Sequence, residues 1–251
     1  MKQAVIHTEN LRKQYKNTDA YAVDGISVCI RESEIFGILG PNGAGKTTLI
    51  SMLCGLVKPT EGQFSVFGMD YRRNAAAIKQ RIGTVPQEYA LYPTLTAREN
   101  LEYFGSMLGL KGENLHERIR IVLDELGLIR FADRKINTFS GGMKRRINLI
   151  AGILHEPQLL FLDEPTVGVD VQSKNVIMEY LTKLNQNGTT IIYTSHHLSE
   201  AENFCSRIAI VEQGRIYAEG TPQELIASVA GARHLEDVFI AITGKELRDV
   251  I

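Results

Sequence analysis

The chain has 251 residues, 44% hydrophobic and 23% charged, which suits one large domain or a core with a smaller insertion and argues against disorder. Its 28 basic and 29 acidic side chains leave a net charge of −1, without the basic excess that grips a phosphate backbone, so no nucleic acid partner is expected. The longest apolar run, Leu149 to Leu154, is far short of a bilayer span and the first residues lack a signal-peptide core, so a cytoplasmic chain is expected.

Ala4 to Lys13 and Ile26 to Ile30 alternate polar and apolar residues as half-buried strands do, with Tyr15 to Asp24 as a turn-rich connection; this predicts an antiparallel sheet. Glu34 to Leu39 is a short apolar strand running into a glycine-rich turn and a helix-forming stretch, Lys46 to Leu56. Gln63 to Phe67, Arg81 to Val85, Leu159 to Leu162 and Thr189 to Thr194 are further apolar or β-branched runs separated by helical patterns, as a parallel sheet with crossover helices requires. The core is therefore α/β. From Leu91 to Glu156 the pattern is helical, as in Ile119, Val122, Leu123 and Leu126, which predicts a helical insertion. Arg207 to Glu212 and Arg215 to Ala218 read as a hairpin around Gln213-Gly214, and Thr221-Pro222-Gln223-Glu224 as a capping box with proline at the first helical position. A last stripe, Leu235, Val238, Phe239 and Ile242, stops at Gly244 and is expected to dock on the parent domain.

Gly40-Pro41-Asn42-Gly43-Ala44-Gly45-Lys46-Thr47 matches G-x-x-x-x-G-K-[ST] between a strand and a helix, with Thr48 in the same turn. There, backbone N–H groups and a helix N-terminus converge on a β-phosphate, Lys46 reaches the β- and γ-phosphates, and Thr47 offers a hydroxyl to Mg²⁺. Alone, this loop leaves kinases, GTPases, helicases and transport ATPases open. Leu159-Leu160-Phe161-Leu162-Asp163-Glu164 is an apolar strand ending in two carboxylates: Asp163 can hold the Mg²⁺ shell while Glu164 faces the γ-phosphate and polarises a water. Ser140-Gly141-Gly142, followed by Met143-Lys144-Arg145-Arg146, reads as an N-cap before a helix or as a second anion site that serves a neighbour's nucleotide.

Together the phosphate loop, Ser-Gly-Gly, Leu-Phe-Leu-Asp-Glu-Pro-Thr and a later Ser195-His196 resemble the nucleotide-binding domain of an ABC transporter over nearly the whole chain. The resemblance implies one ABC ATPase domain, 1–251. Within it are an N-terminal antiparallel β subdomain and P-loop NTPase core with a mostly parallel sheet (1–90), an inserted α-helical subdomain (91–156), the rest of the core (157–220) and a C-terminal helical extension (221–251). It implies ATP and Mg²⁺ as ligands and Lys46, Glu164 and His196 as the catalytic set, His196 contacting the γ-phosphate and orienting Glu164 and its water. By the same resemblance Tyr15 stacks on adenine, Gln87 in Val85-Pro86-Gln87-Glu88 joins Thr47 and Asp163 near Mg²⁺ and lies at the coupling surface, and Asp170 belongs to a loop crossing a head-to-tail dimer interface. The neighbour's ATP then meets Ser140, Gly141 and Gly142. Without the resemblance, Tyr15 is a turn tyrosine, Gln87 a solvated loop residue and His196 a structural histidine beside a bystander, His197. No ligand cluster with zinc spacing surrounds the pair, and Cys29, Cys54 and Cys205 are scattered without C-x-x-C spacing, so they read as packing residues.

Two departures stand out: Phe139-Ser140-Gly141-Gly142-Met143 where Leu-Ser-Gly-Gly-Gln is common, and Thr166-Val167-Gly168-Val169-Asp170 in the interface loop. Met143 cannot make a glutamine's hydrogen bonds. The Gly-Gly-Met-Lys-Arg-Arg form, with Leu235-Glu-Asp-Val-Phe239 and Thr243 to Leu247, is similar to the exporter branch that moves drugs, antibiotics, lipids or ions. The expectation is an ATP-binding subunit, homodimeric or paired with a related ATPase, peripheral on the inner face of the cell membrane through a separate integral membrane permease. A soluble ABC ATPase of macromolecular assembly is the alternative, although the stretch between Lys46 and Ser140 lacks the heptads of DNA-repair types. A chain that senses ATP without hydrolysing it is disfavoured by the presence of Glu164 and His196.

Overall fold

The computed structural model describes residues 2–16 and 18–244, so the part of the Thr243 to Leu247 motif beyond Gly244 lies outside the described residues. In chain order the strands are β1 (Ala4–Gln14), β2 (Tyr21–Ile26), β3 (Cys29–Arg31), β4 (Ile35–Leu39), β5 (Glu61–Val66), β6 (Met69–Asp70), β7 (Ile82–Val85), β8 (Leu159–Asp163), β9 (Thr190–Ser195), β10 (Arg207–Glu212) and β11 (Arg215–Gly220). The helices are α1 (Lys46–Leu53), α2 (Tyr71–Lys79), α3 (Ala97–Met107), α4 (Gly112–Glu125), α5 (Gly141–Ile153), α6 (Val171–Gln186), α7 (Leu198–Phe204), α8 (Pro222–Ala227) and α9 (Leu235–Thr243). The expected α/β class is what forms. The chain divides into two compact units, Met1–Lys79 with Thr190–Ile251, and Gln80–Thr189.

In the first unit β1 pairs antiparallel with β2, β3 and β5, and β5 with β6. Ile6 and Thr8 alternate inward; Asn10, at φ +46°, shifts the register and returns Leu11 to the buried side. Three expectations are corrected here. The stretch to Asp24 is not all connection, because β2 starts at Tyr21 and buries Val23. Ile26 to Ile30 is not one strand: the Thr8 hydroxyl, itself buried, donates to Ile26 O at 3.2 Å and accepts from Val28 N–H at 2.8 Å, and the strand breaks around it. Gln63 to Phe67 joins the antiparallel sheet, not a parallel one.

β4 runs parallel to β9 on one side and β10 on the other, and β11 returns antiparallel to β10 as the expected hairpin. Every residue of β4 and β9 is buried, which is why both read as near-continuous apolar runs. Helix α1 stops at Leu53, short of the expected Leu56, because the N–H groups of Leu56 and Val57 both fold back onto the Ser51 carbonyl, at 2.9 and 3.1 Å. Thr221 and Glu224 close the expected capping box on α8 with Pro222 at its start, and α9 buries Leu235, Val238 and Phe239 against α7 and α8 before ending at Gly244.

In the second unit β7 and β8 pair in parallel, from Ile82 opposite Leu159 to Val85 opposite Leu162. Among the described residues no strand forms between Leu91 and Glu156; α3, α4 and α5 pack together over Leu101, Leu115, Ile119, Val122, Leu123 and Ile147, with one isolated bridge from Thr96 to Lys135. No helix among the described residues is long and apolar enough to cross a membrane.

Ile210 is fully buried in β10, with β4 and β11 on its two sides. Ile210→Ala is expected to lower the unfolding free energy by about 2–5 kcal/mol, measured by urea titration with circular dichroism; a loss below about 1 kcal/mol would place the core elsewhere.

Candidate functional site

In the first unit the loop Gly40-Pro41-Asn42-Gly43-Ala44 leaves β4 and reaches α1 at Lys46. Gly45 caps that helix at φ +102°, and a Cβ there would stand 2.1 Å from the Ala22 carbonyl oxygen, so no other residue fits. The β10–β11 turn braces the loop: Gly214 N–H donates to Ala44 O at 2.9 Å, and Asp24 N–H donates to Gly214 O at 2.8 Å. Lys46 is buried, its Nζ donating to Gly40 O at 2.8 Å and Pro41 O at 3.1 Å. Thr47 is exposed, and the Tyr15 Oη lies 3.4 Å from Thr48 Oγ1. Tyr15 is therefore beside the phosphate loop, the residue 43% exposed and Lys13 Nζ 5.3 Å from its ring centroid. A helix start with no side-chain cap, a lysine, a hydroxyl and an exposed aromatic residue form a constellation suited to a nucleoside polyphosphate.

His196 follows the end of β9, half-buried, its ring centroid 4.1 Å from that of exposed His197. His197 N–H donates to Ser195 Oγ at 2.9 Å.

In the second unit β8 is buried along its length and delivers Asp163, 7% exposed, with Glu164, 5% exposed, immediately after it. Glu164 adopts φ +48°, a left-handed conformation uncommon for a residue with a Cβ. Gln87 Nε2 donates to Glu164 Oε2 at 3.4 Å, so two residues far apart in sequence meet. The loop carrying Gln87 follows β7 and is held by α5. Arg145 Nη1 donates to the Pro86 and Gln87 carbonyls at 3.2 and 2.8 Å, and its guanidinium carbon lies 4.9 Å from the Tyr89 ring centroid. Asn148 Nδ2 donates to Pro86 O at 3.1 Å while its Oδ1 accepts from Ala90 N–H at 3.3 Å. Burial pushes the Arg145 guanidinium below its ordinary pKa, with Tyr89, Asp163 and Glu164 pulling it back.

Ser140 caps α5, its Oγ accepting from Met143 N–H at 3.2 Å, so the N-cap reading of this serine holds and its residue stays exposed. Asp170 caps α6, accepting from Ser173 N–H at 2.9 Å, and Ser173's hydrogen bonds hold its carboxyl below the usual range. Gly142 is buried against that second cap: a Cβ there would lie 2.3 Å from Ser173 Oγ and 2.6 Å from Asp170 Oδ2. Two helix starts thus sit side by side and expose Ser140, Gly141 and Asp170 on one surface.

Tyr89, Arg145 and Asn148 are not legible as site residues in the sequence. Its available signal was helical spacing: Gly142, Arg145, Leu149 and Gly152 lie at helical intervals, and a charge on a helix's inward stripe marks a partner to be found. Among the described residues no three His, Cys, Asp or Glu side chains gather as a metal cluster.

The family model described as ABC transporter matches residues 23–167. The chain is 50% identical over 240 residues to the linearmycin resistance ATP-binding protein LnrL of Bacillus subtilis, covering 95% of this chain and 75% of that one. It is 40% identical over 233 residues to the Nod factor export ATP-binding protein I of Burkholderia lata, covering 93% and 76%. Among solved structures it is similar to a dimeric ATP-binding cassette in a post-hydrolysis state bound to ADP and Pi, with a TM-score of 0.79, 30% identity, and 86% and 98% of the two chains covered.

Gly45→Ala would drive a Cβ into the Ala22 carbonyl at an unfavourable φ. It is expected to weaken binding of a fluorescent ATP analogue by about tenfold or more, because the loop must shift to accept it; titration showing unchanged affinity would contradict this account of the loop.

Proposed function

The chain belongs to the ABC transporter family as an ATP-binding ATPase, and from that premise we propose that it powers export through a separate integral membrane permease. Two copies, or one copy and a related ATPase, close head to tail on ATP across the surface of Ser140, Gly141, Gly142 and Asp170, and reopen after hydrolysis. The pair sits on the permease at the inner face of the membrane and passes its motion through the Gln87 loop and the helical insertion.

The roles divide by chemistry. Backbone N–H groups of the loop Gly40 to Gly45, where only Pro41 has none to offer, hold the phosphates with the start of α1 through Thr48; Lys46 offsets the negative charge of the β- and γ-phosphates; Tyr15 stacks on adenine. Thr47, Gln87 and Asp163 offer a hydroxyl, an amide oxygen and a carboxylate, a set of hard oxygen donors that suits Mg²⁺, which when bound neutralises phosphate charge. Water attacks the γ-phosphorus, its proton passes to Glu164, the bond to the β–γ bridging oxygen breaks, and His196 steadies the γ-phosphate and Glu164. What carries the reading is the likeness over 95% of the chain to a resistance ATP-binding protein, with the motif residues of an ATPase in place; the Nod factor export relative supports the outward direction.

Glu164→Gln is expected to cut turnover by about 10²–10⁴-fold while leaving ATP binding, and Lys46→Ala to lose binding or turnover; normal rates in either would overturn its assignment. Tagged Glu164→Gln, purified from detergent-solubilised cells with ATP and Mg²⁺, is expected to bring down a polytopic membrane protein. Recovery of ribosomes or soluble assembly factors alone would replace the exporter reading with the assembly one.

A further inference from the structure

We propose that Arg145 and Tyr89 are positioning residues for hydrolysis: they fasten the Gln87 loop to the first turns of α5, so that Gln87 at Glu164 and Ser140 at the neighbour's nucleotide move as one body. The inference rests on the roles proposed above for Gln87, Glu164 and Ser140.

Burying Arg145 is costly. Arg145 is 3% exposed, and its Nε has no hydrogen-bond partner among the described residues. An apolar side chain at this place would avoid that desolvation. What the guanidinium supplies instead is directional: one Nη1 grips two successive carbonyls, Pro86 O and Gln87 O, and the guanidinium carbon lies over the Tyr89 ring, 4.9 Å from its centroid. Tyr89 continues the tie, its Oη donating to Gly141 O at 3.3 Å, next to Ser140. Asn148 holds the same loop from one turn further along α5.

The Gln87 to Glu164 hydrogen bond is 3.4 Å long, near the limit at which such a bond has any strength. A few tenths of an ångström in the loop therefore decide whether Gln87 touches the carboxylate at all. Arg145 fixes the Gln87 peptide itself, at 2.8 Å, so it sets that distance without touching the reacting atoms.

Steady-state ATP turnover by the full chain tests this. Arg145→Met is expected to lower kcat by about tenfold with KM for ATP within about twofold, Tyr89→Phe to lower kcat by about two- to threefold, and Arg145→Lys to recover part of the loss. In a Gln87→Ala chain, Arg145→Met should add nothing, because the loop has no side chain left to position. Full kcat in Arg145→Met and Tyr89→Phe, or equal losses from Arg145→Met with and without Gln87, would overturn the proposal. Should Arg145→Met fail to fold, Tyr89→Phe and Arg145→Lys decide alone, and full rates in both would overturn it. Glu164→Gln and Gln87→Ala keep the premise separate: a full rate in either removes the catalytic reading and this inference with it. If both are slow and the clamp variants are not, only the clamp falls.

Discussion

Two adjacent carboxylates shut away from water are the obligation around which the second unit is built. Asp163 and Glu164 are 7% and 5% exposed, and a carboxylate deprived of water must find donors or opposing charge nearby. β8 can deliver the pair only if the rest of the strand is content to be buried, hence its Leu-Leu-Phe-Leu. β7 pairs in parallel with β8, so the loop after it emerges at the same end and brings Gln87 to Glu164. The buried Arg145 adds a positive charge felt by both carboxylates. Its helix, α5, is capped by Ser140, so the electrostatic need at the strand end and the exposed surface at the helix start are met by one element.

The first unit answers the opposite demand. A phosphate-binding loop must leave backbone N–H groups uncovered, and side chains are in the way. Gly45 leaves no room for a Cβ because Ala22 approaches from β2, and Gly214 ties Ala44 to the β10–β11 turn, so the loop is held from behind by backbone while its front stays open. The antiparallel strands and the terminal hairpin therefore do more than enlarge the core; they brace a segment that has almost no side chains of its own to pack.

What the sequence makes legible follows from the range of the interactions. The phosphate loop, the acidic pair after an apolar run, the capping box at Thr221 and the stop at Gly244 are each set within a few residues, and each can be read directly. The strand pattern of Glu61–Val66 does not reveal its partners, since a half-buried strand looks the same in either pairing, and its pairing with β1 and β6 decides it. The break between β2 and β3 depends on the hydroxyl of Thr8, and the clamp on the Gln87 loop on Arg145 reaching Pro86 and Gln87. Such contacts cross tens of residues, and in the sequence Arg145 is one of three consecutive basic side chains with nothing to distinguish it.

Side chains of successive strand residues point to opposite faces, so a second carboxylate continuing β8 would be carried away from the first. At φ +48° Glu164 leaves that alternation, at a cost on the order of 1–3 kcal/mol for a residue with a Cβ. Glycine would remove the cost but also the carboxylate. The chain keeps both the strain and the charge, and anchors the turn that follows: Thr166 is buried, and Val167 N–H donates to the Glu164 carbonyl at 3.3 Å. A strained backbone persists only where its surroundings over-determine it, and here those surroundings are the buried strand before it, the closed turn after it and Gln87 at its side chain. The residue proposed as the base is thus also held in a strained left-handed backbone conformation.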